Sequence, residues 1–227
     1  MNHSCILDFG NTSVKWARFE NAVFKGVLQD EQAWQTLQSW NQDARWLIAA
    51  TGHMNDRWSS WVGTLKSKQT ESVVHLETAE NIPFPTTYNS MSTLGLDRIA
   101  NAAGITAEYE DADWLIIDAG TCITADLLQS GVFCGGSIAP GIDLRLRAMF
   151  AGTVGLPYPE NWQEKVAEGI GLDIGEDTVS SLLAGAIGGV QAELTERIRR
   201  FKHEMPSIRV ALTGGDAKFL QLQKDLP

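Results

Sequence analysis

A short phrase occurs twice in this chain and constrains its fold more than any other feature. Near the start it reads Ile6-Leu7-Asp8-Phe9-Gly10-Asn11-Thr12, and in the middle Ile116-Ile117-Asp118-Ala119-Gly120-Thr121. Each is an apolar strand that reaches an Asp and then turns sharply through Gly into a hydroxyl residue. A second run of alternating apolar residues follows each turn, so each phrase predicts strand–turn–strand. The Gly permits a tight turn and aims backbone N–H groups at a bound anion. The hydroxyl can then touch phosphate oxygens and the Asp a cation, at one mouth. Two such mouths predict a duplicated domain that grips a polyphosphate from both sides.

With 227 residues the chain has room for two such halves. The first half predicts strands near 4–9, 13–19 and 22–28, a helix at 30–42, a strand at 45–50, a helix at 54–66 and a strand at 72–77. Asn81–Leu94 carries Pro83 and Pro85 without a clear period and predicts a loop, and a helix follows from Leu96 to Glu108. The second half repeats the opening with strands near 113–118, 121–128 and 132–138. Helices are expected at 141–150 and 178–203, then a strand at Ile208–Thr213 and a helix after Gly215. The boundary falls within Tyr109–Asp113, giving halves of 1–110 and 111–227. The first half has a further strand after its helix at 54–66, and the second has no counterpart before Pro227, so a terminal strand is expected to be missing.

A formal net charge of −10 argues against a nucleic-acid surface. The Arg197, Arg199, Arg200, Lys202 cluster reads as a complement to a helix C-terminus. Cys5, Cys122 and Cys134 have no CxxC spacing and an odd count, which favours a reducing compartment and buried thiols. His3, His53, His75 and His203 form no ligand pair, so a transition-metal site has no support. No basic leader with a cleavage pattern and no bilayer-length apolar run is present, so the expected location is cytoplasmic, away from membranes. Trp34, Trp40, Trp58 and Trp61 lie on amphipathic helices and read as packing residues.

The turn at Asp8-Phe9-Gly10-Asn11-Thr12 does not open a helix, which excludes a P-loop or a Rossmann turn. A phosphate-gripping hairpin with Asp8 at its base suits hydrated Mg²⁺ bridging nucleotide phosphates, and Lys15 adds a point charge. Gly-Asn is also ordinary hairpin chemistry, but its repetition at Asp118-Ala119-Gly120-Thr121 favours function. Thr213-Gly214-Gly215-Asp216 is a third Gly turn, whose paired glycines admit a flat group such as adenine; the plain alternative is a turn with Asp216 as an N-cap. Gly95-Leu96-Asp97-Arg98 opens a helix. Asp97 is there either a cap or a proton acceptor for a substrate hydroxyl, and Arg98 can hold a carboxylate or phosphate. Gly135-Gly136-Ser137-Ile138-Ala139-Pro140-Gly141 can be pure backbone geometry. Gly185, Gly188 and Gly189 suggest close helix packing across a subunit contact.

Taken in order, Asp8-x-Gly-Asn-Thr, Gly-Leu-Asp97-Arg, Asp118-Ala-Gly-Thr, Gly-Gly-Ser-Ile-Ala-Pro-Gly141, Leu156-Pro157 and Asp177-Thr178 resemble the type III pantothenate kinases. The resemblance runs from Asp8 to Thr213-Gly214-Gly215. It implies the duplicated ribonuclease-H-like α/β fold shared with sugar kinases, actin and the 70-kDa chaperones, with a mixed sheet flanked by helices in each half. It also implies a homodimer that binds pantothenate near the subunit interface. The activity implied is transfer of the γ-phosphate of ATP to the primary hydroxyl of pantothenate, the first step of coenzyme A biosynthesis. Asp97 matches the family's general base. Tyr88, Arg98 and Thr178 match pantothenate contacts, with backbone from Gly95 and Leu96. Asp8, Gly10, Asn11, Thr12 and Lys15 match the first phosphate segment and Thr121 the second, and with them Gly214 and Gly215 of the third Gly turn are expected to bind ATP. Asp118 matches the ligand of a monovalent cation, K⁺ or NH₄⁺, while Asp8 faces Mg²⁺ through water. The family commonly has Ala where Leu96 and Cys122 stand. Two readings compete: another small-molecule kinase of the same fold, such as an acetate or sugar kinase, and a non-catalytic transcription accessory factor. Retention of Asp97, Asp118 and both Gly turns argues against the latter.

Overall fold

In a computed structural model of the chain the described residues are 3–40, 43–68, 72–76, 82–109, 112–167 and 173–222. They form two compact units, Met1–Ile82 with Asn89–Ala100, and Pro83–Tyr88 with Asn101–Pro227.

The first unit begins with β1 (His3–Phe9), β2 (Val14–Glu20) and β3 (Val23–Gln29), followed by α1 (Asp30–Gln38), β4 (Ala44–Ala50), α2 (Asp56–Lys68) and β5 (Val73–Leu76). The sheet order is β3-β2-β1-β4-β5. The first three strands are antiparallel, and β4 and β5 run parallel to β1. Alternate residues Cys5, Leu7 and Phe9 point into a core that includes Trp16, Trp46 and Trp58, which leaves Asp8 on the other face. Trp58 meets Phe9, Trp34 and Trp61 edge-on, so three of the four helical tryptophans singled out in the sequence are joined by packing.

α3 (Leu96–Glu108) has the bounds expected from the sequence and is divided between the units after Ala100. The second unit continues with β6 (Trp114–Ala119), β7 (Cys122–Gln129), β8 (Val132–Pro140), α4 (Ile142–Gly152), α5 (Trp162–Ala167), α6 (Thr178–Leu183), α7 (Gly189–Glu204) and β9 (Arg209–Thr213). Its sheet order is β8-β7-β6-β9, with β9 parallel to β6. Leu115, Ile117 and Ala119 face a core closed by Ile142, Leu146, Leu183, Val190 and Leu194.

The duplication extends into fine detail. Asn21-Ala22 and Ser130-Gly131 both have positive φ at two-residue hairpin turns, the mirror-image geometry that matches strand twist. Just beyond each turn lies a bulge, at Arg18/Phe19 and at Leu127/Leu128. The bulged strand, which carries the extra residue Lys25 or Cys134, reads Val-Phe-x-Gly in each case, with Gly26 and Gly135 both at positive φ. This topology is the duplicated ribonuclease-H-like fold.

Several expectations need correction. The helix expected over 178–203 runs unbroken from Thr178 to Glu204 but contains a π turn at Ala184–Gly188, where Gly185 and Gly188 let the backbone widen. The helix expected after Gly215 is a single 3₁₀ turn, Ala217–Phe219. Phe219 packs on Trp162, and the Gln221 N–H donates to Gln191 Oε1. The last five residues lie outside the described ones, as do Gln69–Glu71, Glu110–Asp111 and Asn81. The 81–94 segment contains a 3₁₀ turn at Met91–Thr93, and Thr86 pairs with Phe133. Cys5 is buried, but Cys122 is exposed at the start of β7. Arg199 and Arg200 pair with Glu196, and Arg197 with Glu193, so the basic cluster is matched by carboxylates along its own helix.

Candidate active site elements

The first Asp–Gly turn joins β1 to β2. Phe9 pairs with Val14, leaving Gly10, Asn11, Thr12 and Ser13 as the loop. The Gly10 N–H donates to the Ser13 carbonyl at 3.1 Å, and Asn11 and Thr12 are exposed. Asp8 lies directly opposite Lys15, so both side chains project from the same sheet face at adjacent positions. The turn is braced from beneath. The Thr51 and Gly52 N–H groups donate to the Phe9 carbonyl at 3.0 and 2.8 Å, and a Cβ on Gly52 would overlap the Gly10 carbonyl.

The second turn joins β6 to β7 and is one residue shorter: Ala119 pairs with Ile123 across Gly120, Thr121 and Cys122. The Gly120 N–H donates to the Cys122 carbonyl, and the Gly141 N–H to the Thr121 carbonyl. A Cβ on Gly141 would overlap the Gly120 carbonyl, and one on Gly214 the Ala119 backbone. Gly214 has φ +97° and is restricted twice, by conformation and by contact, whereas Gly215 faces open space. The Gly214-Gly215 turn therefore sits directly on the β6–β7 turn. Gly52 holds the corresponding place on the first. Thr51-Gly52, just after β4, repeats Thr213-Gly214 at the end of β9, a pairing that the sequence carries and that marks Gly52 as a turn-bracing residue the sequence reading missed.

Asp118 has different neighbours from Asp8. Its cross-strand partner on β7 is Thr124 and its parallel neighbour on β9 is Thr213, where Asp8 has Lys15 and Ala49. Asn101 of α3 donates through Nδ2 to Asp118 Oδ2 at 2.9 Å. One carboxylate among neutral oxygen-bearing side chains suits a cation of low charge. Among the described residues no group of three or more His, Cys, Asp or Glu could hold a metal ion.

Asp97 stands in the first turn of α3 and is exposed. Its Oδ1 accepts from the Arg98 N–H at 2.9 Å, and the carboxylate folds back over Gly95, where a Cβ would collide with it. Arg98 is only 4% exposed, so its charge lies inside the protein. Tyr88 is carried on a strap that pairs with β8: the Phe133 N–H donates to the Pro85 carbonyl and the Thr87 N–H to the Phe133 carbonyl. Its ring meets Phe133 edge-on and lies over Gly135, where a Cβ would stand 2.9 Å from the ring. Gly135 is thus a seat for Tyr88, while the matching Gly26 meets nothing. Thr178 is exposed at the first position of α6, behind an Asp177–Ser180 capping box.

Asp216 does not cap its 3₁₀ turn through its side chain. Its N–H donates to the Ala119 carbonyl at 2.9 Å. Burial first, and then the Asp143 charge, push its carboxyl up to about 6, against the pull of Lys218. Burial also works against the charge of Asp143, but hydrogen bonds from Tyr158, Arg147 and Trp162 hold its carboxyl below the usual range.

The type III pantothenate kinase profile matches residues 5–200. A type III pantothenate kinase from Bacteroides fragilis strain YCH46 is 35% identical over 93% of this chain and 85% of its own length. One from Christiangramia forsetii is 31% identical over 96% and 88%. Among solved structures, a Campylobacter jejuni protein assigned to the Baf family of transcriptional activators superposes with a TM-score of 0.57 at 22% identity, over 98% of this chain and 88% of its own. The ethanolamine utilization protein EutJ from Carboxydothermus hydrogenoformans superposes at 0.51 with 10% identity, over 95% and 77%. At these identities the two structures speak to the fold alone.

Proposed function

The chain belongs to the type III pantothenate kinase family, and from that premise we propose how its residues divide the reaction. It is a pantothenate kinase: it moves the γ-phosphate of ATP to the primary hydroxyl of pantothenate, giving 4′-phosphopantothenate. The observation that carries the reading is the family match over 5–200, within which both Asp–Gly turns and the Gly-Leu-Asp97-Arg98 helix start are present.

In the proposed division, Gly10, Asn11, Thr12 and Lys15 are the ATP-binding residues of the first hairpin and Thr121 that of the second. Gly214 and Gly215 admit the adenine. Asp97 accepts the proton of the attacking hydroxyl, a role its exposure and its place in the first helical turn allow. Tyr88, Thr178, Arg98 and the Gly95-Leu96 backbone orient pantothenate. When bound, Mg²⁺ at the phosphates beside Asp8, and a monovalent cation at Asp118, supply positive charge to the transferring group. Most of the rate would come from positioning and charge stabilisation, as in phosphoryl transfer generally.

We also infer a homodimer and a cytoplasmic location. The dimer reading rests on the exposed apolar side chains Leu144, Phe150, Val154 and Ile174 and on the open faces of Gly185 and Gly189. The halves 1–110 and 111–227 are read as tandem copies, supported by the matching turns and bulges. The function is tested by incubating the protein with ATP, Mg²⁺ and K⁺ plus pantothenate, acetate or a hexose. Phosphopantothenate by mass spectrometry is expected. ATP turnover with acetate or hexose alone, or none at all, overturns the assignment.

A further inference from the structure

We propose that Asn101 is a positioning residue for the cation-binding carboxylate of Asp118. This rests on the reading of Asp118 as the monovalent-cation ligand and assigns a role to a residue outside that set. The geometry is specific. Asn101 Nδ2 lies 2.9 Å from Asp118 Oδ2. A carboxylate only accepts, so the Asn amide must present its NH₂ group and not its oxygen. Asp118 itself ends β6, fixed by backbone pairing to Thr124 on one side and Thr213 on the other. Its backbone is therefore held, and the carboxylate plane is left to rotate about the side-chain torsions.

Asn101 removes that freedom by engaging one oxygen. The other oxygen, Oδ1, stands towards the Gly120 turn, 3.9 Å from where a Gly120 Cβ would be. The result is a divided carboxylate, with Oδ2 tied to the helix and Oδ1 directed at the turn that carries Thr121. Among the described residues Asn101 is the side chain that hydrogen-bonds this carboxylate.

The choice of an amide matters as much as its place. A Lys or Arg there would also orient Asp118 but would cancel its charge and compete with a bound cation. In the first half a cation does stand beside the Asp, though on the neighbouring strand: Lys15 lies directly opposite Asp8. A neutral donor orients the carboxylate and leaves its full negative charge for a cation. Loss of such an outer hydrogen bond commonly weakens ion binding about 10- to 100-fold.

The test compares wild type, Asn101→Ala, Asn101→Gln and Asp118→Asn with two readouts at constant ionic strength made up with choline chloride. One is K⁺ activation of turnover. The other, independent of activity, is the K⁺-induced shift of the thermal midpoint. Asn101→Ala is expected to raise the half-saturating K⁺ concentration about tenfold or more in both readouts, with kcat at saturating K⁺ recovered to about half of wild type or better. Asn101→Gln, which keeps the donor but overshoots its reach, should fall between, and it decides the matter where the Ala variant does not fold. Unchanged K⁺ constants in either folded variant, or turnover lost equally at every K⁺ concentration with an unchanged thermal constant, overturn the role of Asn101. If Asp118→Asn abolishes the K⁺ response while the Asn101 variants leave it intact, only this inference fails. A wild type without any K⁺ response removes the Asp118 reading and this inference together.

Discussion

Asp216→Asn tests whether the second unit carries a carboxylate that resists ionisation. In the folded protein this carboxyl is half-buried beside Asp143 and is pushed up to about 6. In an unfolded chain an Asp titrates near about 4. Below about pH 4 both states hold the proton and the side chain contributes no difference. Between about 4 and 6 the unfolded chain releases the proton while the folded protein keeps it, so stability falls as pH rises through this window. Above about 6 the folded state carries the full cost of a charge it does not solvate well.

Two pH units correspond to roughly 2.7 kcal/mol for a fully enclosed group. Asp216 is only half enclosed, and water screens both it and Asp143, so about 1 kcal/mol is the reasonable share. Asn keeps the size of Asp without the charge. The variant should therefore match wild type at about pH 4 and exceed it by about 1 kcal/mol at about pH 7.5, or roughly 2–4 °C in Tm for a chain of this size. Calorimetric melts of both proteins across that range, at fixed ionic strength, measure the difference. A gain of equal size at every pH would mean that charge plays no part. A variant that becomes relatively less stable as pH rises would reverse the sign and refute the reasoning.

Gly214→Ala forces a Cβ into the Ala119 backbone at φ +97°; a loss of at least about 2 kcal/mol is expected, and a Tm within 1 °C of wild type would contradict it. Gly135→Ala removes the seat of the Tyr88 ring; KM for pantothenate should rise about tenfold, roughly 1.4 kcal/mol of binding, with kcat moving less, and an unchanged KM would detach Tyr88 from the substrate. Asp97→Asn should lower kcat about 10²- to 10⁴-fold with pantothenate binding by calorimetry nearly intact; near wild-type turnover would end the general-base role. Thr213→Lys places an ammonium on the strand position beside Asp118; activity should lose most of its dependence on K⁺, and a folded variant with wild-type dependence would show that Asp118 is not the seat of the cation.

Much of this was legible because strands and turns write themselves locally. An apolar run ending in Asp and then Gly specifies both the strand and its end, and β1, β2, β6 and β7 fall within about two residues of expectation. α3 begins where Gly95 stops an irregular stretch and ends where its pattern fades, so its bounds match. Elements that depend on distant partners were not legible. α5 is six residues long and is held by the burial of Trp162, which sequence periodicity cannot reveal. The helix after Gly215 ends early because Phe219 and Gln221 are claimed by other elements. Two signals were present but unread: Val-Phe-x-Gly after each hairpin turn, and Thr-Gly just past β4 and at the end of β9. The Asn101 contact left no signal, since an amide on a helix does not announce the carboxylate it meets across 17 positions.

The duplicated halves show how one scaffold can surround the same Asp–Gly turn with different side chains. Strand order about β1 and β6, hairpin turns, bulges and the bracing glycines correspond. The divergence is concentrated at the positions flanking each Asp. In the first sheet a Lys faces the acid across the hairpin, so this mouth brings its own positive charge to an anionic ligand. In the second sheet a Thr occupies the equivalent place and an amide ties one oxygen, so this mouth keeps an uncancelled carboxylate. A carboxylate so placed repels phosphate unless a cation intervenes. Under the proposed division of roles, the same backbone would yield one turn with a Lys beside its Asp and one whose Asp is left for a monovalent cation, an asymmetry that follows from two side chains and not from any change of fold.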